Sequence, residues 1–596
     1  MKLRLIRLIM LACIMLAGIH MYGQDKTLFL GSTQQLLKEL QQPVSKMIQQ
    51  QQITGIPLKV SSTETFFAKV NFRQAADNTS ERIIGEIAGV PRSSFYIKIS
   101  GKLLTGNIIL QGSKKAYEYY ADNNGNAYVK ETDINKVICT DYTPAPAAPS
   151  NSADASVQAP LAISPSLLTL ESFHGARGCI LLDFDGQYVS GTPWNGGNPI
   201  NALPSNLTDA QIQEVWEMIS EDYRPFHVNI TTNEAVFNTY AKNRRMRVIF
   251  TPTNTAAPGA GGVAYVGSFS WNDDTPCWVF NGGVKGGGEA GSHEAGHTVG
   301  LSHDGRTNPS EAYYGGQGSW APIMGVGYYK PIVQWSKGEY ANANNTQDDL
   351  SIISSANYGF GYRTDDYGNS TGSASPLAFD PAGNVNTSGL IERTGDIDMF
   401  SFSTSGGNIS LNFKPSPRHP DLDILATLYN SSGGVVTTAN PTGLAASINT
   451  NLAAGNYFVS VTGTGAGNPV TDGYSNYSSL GAYTITGAIS DSRNQSQQTS
   501  ITHDADTRQE QLSVYPNPVT GDVVQLQVSG QPGEQLVIEI WGMNGGQPLS
   551  RQTQIISGKG SQVIRLDVSK VPAGSWIIRT TNQQSGRKGS IKIVRI

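Results

Sequence analysis

His293-Glu294-Ala295-Gly296-His297-Thr298-Val299-Gly300-Leu301-Ser302-His303 spaces three histidines, one carboxylate and one glycine so that they can meet at a single point. On a helix, residues four apart share a face, so His293 and His297 present two imidazoles side by side. Glu294 follows the first of them, close enough to hold a water beside a shared metal. Gly300 lacks a Cβ and can leave the helical region, turning the chain so that His303 returns as a third ligand. Three neutral imidazoles leave the fourth position of a tetrahedral zinc open, which is the catalytic rather than the structural arrangement. The whole chain has 8 histidines, so three at these offsets are not a product of composition.

At 596 residues the chain is too long for one core, and several domains are expected. Its net charge of −5 is mild and gives no signal for nucleic acid. With 65 Gly and 30 Pro, the composition favours β-rich domains joined by turns. Lys2, Arg4 and Arg7 precede an apolar run from Leu8 to Ile19, which reads as a secretory signal peptide over 1–23. No later stretch is apolar for long enough to span a membrane, so the mature chain is expected to carry no transmembrane segment and to be exported.

Residues 24–145 read as a β-rich propeptide, with strands such as Ser94-Phe95-Tyr96-Ile97-Lys98-Ile99. The Pro- and Ala-rich segment 146–165 reads as a linker open to proteolysis. Residues 166–362 read as α/β: the strand Cys179-Ile180-Leu181-Leu182-Asp183-Phe184, then an amphipathic helix opened by Thr208 and Gln211, then further short strands and the histidine helix. Residues 363–386 form a second linker. Residues 387–489 alternate like a β-sandwich, 490–510 is a polar linker, and 511–596 is a last β domain.

The histidine motif resembles that of the metzincin clan of zinc metallopeptidases, with every zinc-binding position present. The resemblance implies a multidomain chain whose catalytic domain is α/β (α+β), a mixed sheet with a zinc helix, between a β-rich propeptide and two β-sandwich domains. It implies Zn2+ on His293, His297 and His303, Glu294 as general base, and Met324 in Ala321-Pro322-Ile323-Met324-Gly325 as the methionine turn beneath the metal. It also offers Tyr328 or Tyr329 as a hydrogen-bond donor to the oxyanion. Residues 387–489, with Gly395-Asp396-Ile397-Asp398 and Asp421-Leu422-Asp423-Ile424, resemble the bacterial pre-peptidase C-terminal domain, which binds surfaces or substrates, sometimes with calcium. Residues 511–596, opening on Leu512-Ser513-Val514-Tyr515-Pro516-Asn517-Pro518-Val519, resemble the C-terminal sorting domain of type IX secretion. That implies contact with the type IX machinery and a secreted or surface-attached protein.

Cys179 and Cys277 fall in strands of one segment and are the candidate disulfide, which leaves Cys139 as the odd thiol of an exported chain. A thiolate is a strong zinc ligand, so Cys139 is the candidate latency ligand, with Asp141 in reserve. Acid pairs at turns, Asp183 with Asp185 and Asp273 with Asp274, are candidates for Ca2+. The expected function is a secreted zinc endopeptidase acting on proteins or peptides and made as a latent precursor. The alternative is a surface adhesin whose peptidase-like part only scaffolds binding modules.

Overall fold

The computed structural model describes residues 27–139, 163–489 and 512–595, apart from a few positions within them. The signal segment, most of linker 146–165, all of linker 490–510, Tyr329, Asp141 and Pro516-Asn517-Pro518 lie outside the described residues. The chain divides into two compact units, 1–492 and 493–596.

In the first unit, nine strands from Leu28–Ser32 to Asn126–Asp133 form one antiparallel sheet, in which the first strand pairs with the last. Helix α1 (Thr33–Leu40) is capped by Ser32, whose side chain accepts from the Gln35 amide, and buries Leu36, Leu37 and Leu40 in this sheet's own core. The middle segment holds a five-stranded sheet of β1 (Gly178–Asp183), β2 (Val228–Thr231), β3 (Arg245–Phe250), β4 (Gly262–Val263) and β5 (Cys277–Val279), in the order β2-β1-β3-β5-β4. All neighbours are parallel except the edge strand β4. Helix α2 (Asp209–Asp222) opens on the Thr208–Gln211 capping box, and helix α3 (Val284–Thr298) carries the first two histidines. Two sheets of five and four strands then form a sandwich around Phe400, Leu411, Phe413, Leu428, Val461 and Ile485. The second unit has sheets of three and four strands around Val524, Leu526, Ile538 and Ile578.

This architecture corrects the expected fold class. The chain is mostly β, with 45% strand and 13% helix, and no α/β metzincin catalytic domain stands out from its many sheets. Among the described residues only two helices exceed eight residues, and the strands of the middle sheet run to six at most. Local helical periodicity around Ile212–Tyr223 and the histidine spacing suggested an α/β class for a segment whose elements are few and short.

The expected Cys179–Cys277 disulfide is also corrected: both residues are buried free thiols. They lie on β1 and β5, and β3 runs between them. Adjacent strands stand about 4.8 Å apart, so two strands on the Cα atoms are beyond disulfide reach.

The sandwich is joined to the middle segment by buried polar contacts. The Ala482 amide donates to Glu221 Oε1 at 2.9 Å, and Gln334 Nε2 donates to the Asp421 carbonyl. Asp222 of α2 and Asp421 of the sandwich hydrogen-bond each other through their carboxyls, with Ser292 donating to Asp222. Two carboxyls in contact require a shared proton. Burial, then the charge of Glu289, raises Asp222 to about 8; burial, then Asp222 and Glu221, raises Asp421. Lys285, which pairs with Glu289 at 2.5 Å, and Arg224, which pairs with Glu221 at 3.2 Å, are the cations closest to this group.

The folded form therefore keeps protons that the unfolded chain releases above the ordinary carboxylate range. This contribution is full below about pH 4 and is lost as pH rises through about 8. Thermal unfolding of the intact protein is expected to fall by a few degrees, on the order of 2 °C, from pH 6 to 9. Asp421→Asn, which keeps a donor and removes the charge, is expected to flatten that slope; an unchanged slope would refute the shared proton.

Candidate metal centre

Helix α3 contains five glycines in Val284-Lys285-Gly286-Gly287-Gly288-Glu289-Ala290-Gly291-Ser292-His293-Glu294-Ala295-Gly296-His297-Thr298. Each costs about 1 kcal/mol against alanine in a helix, so packing, not propensity, holds α3 together. A Cβ at Gly288 would stand 2.2 Å from Met218 Sδ, and one at Gly291 2.5 Å from Ile219 Cδ1, so the glycines admit α2 against α3. A Cβ at Gly296 would stand 2.8 Å from Met324 Sδ, which places the fully buried Met324 directly against the histidine turn.

The helix ends as the motif requires. Gly300 takes φ +91°, its amide donates to the His297 carbonyl at 2.9 Å, and the Leu301 amide donates to Gly296 at 3.2 Å. This is a Schellman termination with glycine at the left-handed position. It sends the chain back so that His303 lies beside the first two rings, with centroids 4.7 Å from His297 and 5.4 Å from His293.

The ring nitrogens are oriented by backbone carbonyls. His293 Nδ1–H donates to Ile323 O at 2.9 Å and His297 Nδ1–H to Leu301 O at 2.7 Å. Each neutral ring then turns its Nε2 toward the other, and the two Nε2 atoms stand 3.0 Å apart. Burial, with the neighbouring imidazoles adding to it, drives His293 and His303 well below the usual histidine range, and burial brings His297 to about 4. The rings are therefore neutral ligands near pH 7.

Cys139 Sγ lies 3.2 Å from His303 Nε2, and ligand atoms of Cys139, His293, His297 and His303 all fall within 4.8 Å of one another. Three imidazoles and a thiol are a donor set that suits zinc. Glu294 is fully buried, and neither carboxylate oxygen has a hydrogen-bond partner among the described residues. Burial alone pushes it well above the carboxylate range. Glu294 thus stands as an uncompensated buried carboxyl close to the converging ring nitrogens.

Two further residues stand beside these side chains. Tyr313 has its ring centroid 4.3 Å from that of His303 and its hydroxyl 3.8 Å from Cys139 Sγ, whereas Tyr328 packs, partly buried, against the apolar core. Gly262 on β4 leaves room for Glu294, since a Cβ there would stand 2.5 Å from Oε1. Both approaches are long-range, and no local pattern marks them.

Of the acids expected at turns, Asp183, Asp273 and Asp274 have cation partners. Asp183 pairs with Arg247 at 2.5 Å, Asp273 with Arg82 at 3.6 Å, and Asp274 with Lys242 and with Arg245. Two overlapping groups of acids converge where the chain enters the sandwich: Asp365 with Asp396 and Asp398, and Asp365 with Asp366 and Glu392. Glu392 and Asp396 hydrogen-bond each other through their carboxyls, and Asp398 Oδ1 is buried without a hydrogen-bond partner among the described residues.

Residues 513–594 match the secretion system C-terminal sorting domain. No curated protein matches the chain. Among solved structures, the pre-peptidase C-terminal domain of a Bacillus anthracis collagenase is similar at 16% identity over 17% of this chain and 88% of that one, with a TM-score of 0.13. A Bifidobacterium dentium β-glucuronidase is similar at 12% identity over 33% of this chain and 39% of that one, with a TM-score of 0.17. The ligand-binding domain of human OSCAR is similar at 13% identity over 33% and 97%, with a TM-score of 0.11. Likenesses this shallow carry no argument. Among the described residues, no helix is long and apolar enough to cross a membrane. The sorting domain makes this a protein that engages the secretion machinery and is secreted or attached to the cell surface.

Proposed function

We propose that the chain is a zinc-dependent endopeptidase, exported as a precursor whose metal position is closed by Cys139. The observation that carries this reading is Glu294, a fully buried carboxyl with no partner among the described residues, set between the histidine turn and edge strand β4. A scaffold that only displays binding modules has no use for so costly a group. His293, His297 and His303 hold the zinc, which when bound supplies Lewis acidity toward a peptide carbonyl and toward water. Glu294 accepts a proton from the water as its oxygen bonds to the carbonyl carbon, and returns it to the amine as the C–N bond breaks. Tyr313, with its hydroxyl near Cys139 Sγ, is placed to donate to the developing oxyanion once the thiol has left.

Glu294→Ala is expected to keep one zinc per chain by metal analysis and to lower casein hydrolysis by roughly 10²–10⁴-fold. Undiminished turnover would overturn the role. A second reading, a surface-bound adhesin, is favoured by the sorting domain and the predominance of sheet. Zymography of the processed protein separates the two: a metal-loaded chain that clears no casein belongs to the adhesin reading.

The cobalt-substituted full chain is expected to show a thiolate-to-metal charge-transfer band that Cys139→Ala removes, together with loss of latency. A band that survives the substitution would exclude the thiol as ligand.

Calcium, in this reading, belongs to the acids that meet at Asp396. The donor set is oxygen only, which suits a hard cation. Calcium is expected to raise the thermal midpoint of the wild-type chain and not that of Asp396→Asn; equal shifts would place the ion elsewhere.

A further inference from the structure

The segment ahead of Cys139 does more than carry a thiol. The Cys139 amide donates to the Ala264 carbonyl at 3.0 Å, and the Val266 amide donates to the Val137 carbonyl at 3.0 Å. Ile138 and Tyr265 form the antiparallel bridge between them. Val137–Cys139 thus extends the sheet on the open side of β4, whose other side pairs with β5. Strand addition of this kind uses main-chain hydrogen bonds for affinity and alternate side chains for specificity.

We propose that Val137–Cys139 lies as a peptide substrate lies, and that the site of Ile138 is a subsite for an apolar side chain on the residue just before the one whose carbonyl is attacked. This rests on the peptidase reading above. Side chains alternate along the strand, so Cys139 faces the histidines while Ile138 faces the opposite way. The Cys139 carbonyl carbon is three bonds from Sγ, which itself lies 3.2 Å from His303 Nε2, so the proposal assigns to the residue in this register the carbonyl that is attacked. What keeps the chain from cutting itself there is the thiol in the place that water needs.

Ile138 is 2% exposed and belongs to an apolar cluster with Val189, Trp194, Val263, Tyr265 and Trp278. The Tyr265 ring lies 4.3 Å from Trp194 and 5.1 Å from Trp271 by centroids. These walls come from the middle segment, so they stay when the N-terminal segment leaves. Tyr96 stacks on Trp271 at 5.2 Å, so the departing sheet uncovers an aromatic floor, and an apolar residue of an incoming peptide can replace what is lost.

The test is product sequencing after the processed protein has digested a random peptide library. Ile, Val or Leu is expected at the second position before the cut at least 10-fold over Asp or Lys, the scale of discrimination by one apolar pocket. Tyr265→Ser is expected to flatten that preference while zinc content is unchanged. Cleavage with no apolar enrichment at that position overturns the subsite and leaves the peptidase reading standing. A zinc-loaded chain that cleaves nothing overturns both. In the full chain, Ile138→Asp is expected to raise the alkylation rate of Cys139 at least 10-fold without any turnover being needed; an unchanged rate shows that Ile138 does not seat the strand and overturns the proposal.

Discussion

Two neutral imidazoles with their Nε2 lone pairs 3.0 Å apart repel each other unless a proton or a cation stands between them. Both Nδ1 atoms are committed to carbonyls, one from the turn after α3 and one from the segment that carries Met324. Rotating either ring away would break a buried hydrogen bond. The same enclosure strips solvent from Glu294. Burial favours the neutral carboxyl, whereas a cation nearby favours the charged one, so metal and base are linked through the dielectric as well as through distance.

On the proposed reading, a short piece of chain is enough to shut the precursor. A thiol needs only to reach the one position the imidazoles leave open, and two main-chain hydrogen bonds to Ala264 and Val266 aim it there. Because Val137–Cys139 bonds Ala264 and Val266, which follow β4, placing the thiol beside the histidines and covering that edge are one event. Release of the strand would expose the open metal position and the free edge together, which is the condition for an extended peptide to enter.

How much of this was legible follows the range of the contacts. The spacing of His293, His297 and Gly300 is local, and local geometry brings the rings together. Cys139 is 164 residues from His303, and only its place as a leftover cysteine before a linker marked it. Tyr313 left no mark, because its contact with His303 and Cys139 is long-range. The Cys179–Cys277 pairing failed because strand order is not written in strand sequence: β3 comes between in space as well as in chain. The α/β class failed for a related reason. Two helical patterns were given the weight of a domain, whereas the chain's many short alternating runs, each weak alone, add up to a molecule made mostly of sheet.

The cores show which attachments are separable. The N-terminal sheet has its own core from Leu36 to Val129, and it meets the middle segment through a smaller cluster and through surface pairs such as Lys98 with the Trp271 carbonyl. The sandwich has no such independence. Its Phe400, Leu428 and Ile485 belong to the same apolar cluster as Ile219, Val299 and Met324, and Glu221 of α2 is spent on its Ala482 amide. Removing the sandwich would open the core that holds α3 from behind and strand the Asp222–Asp421 pair. Removing the N-terminal sheet leaves that core closed apart from Cys139. If the N-terminal segment blocks the site, as proposed, its separate core lets it come away without unfolding what it covers; the sandwich, by sharing the core, packs behind the histidine helix.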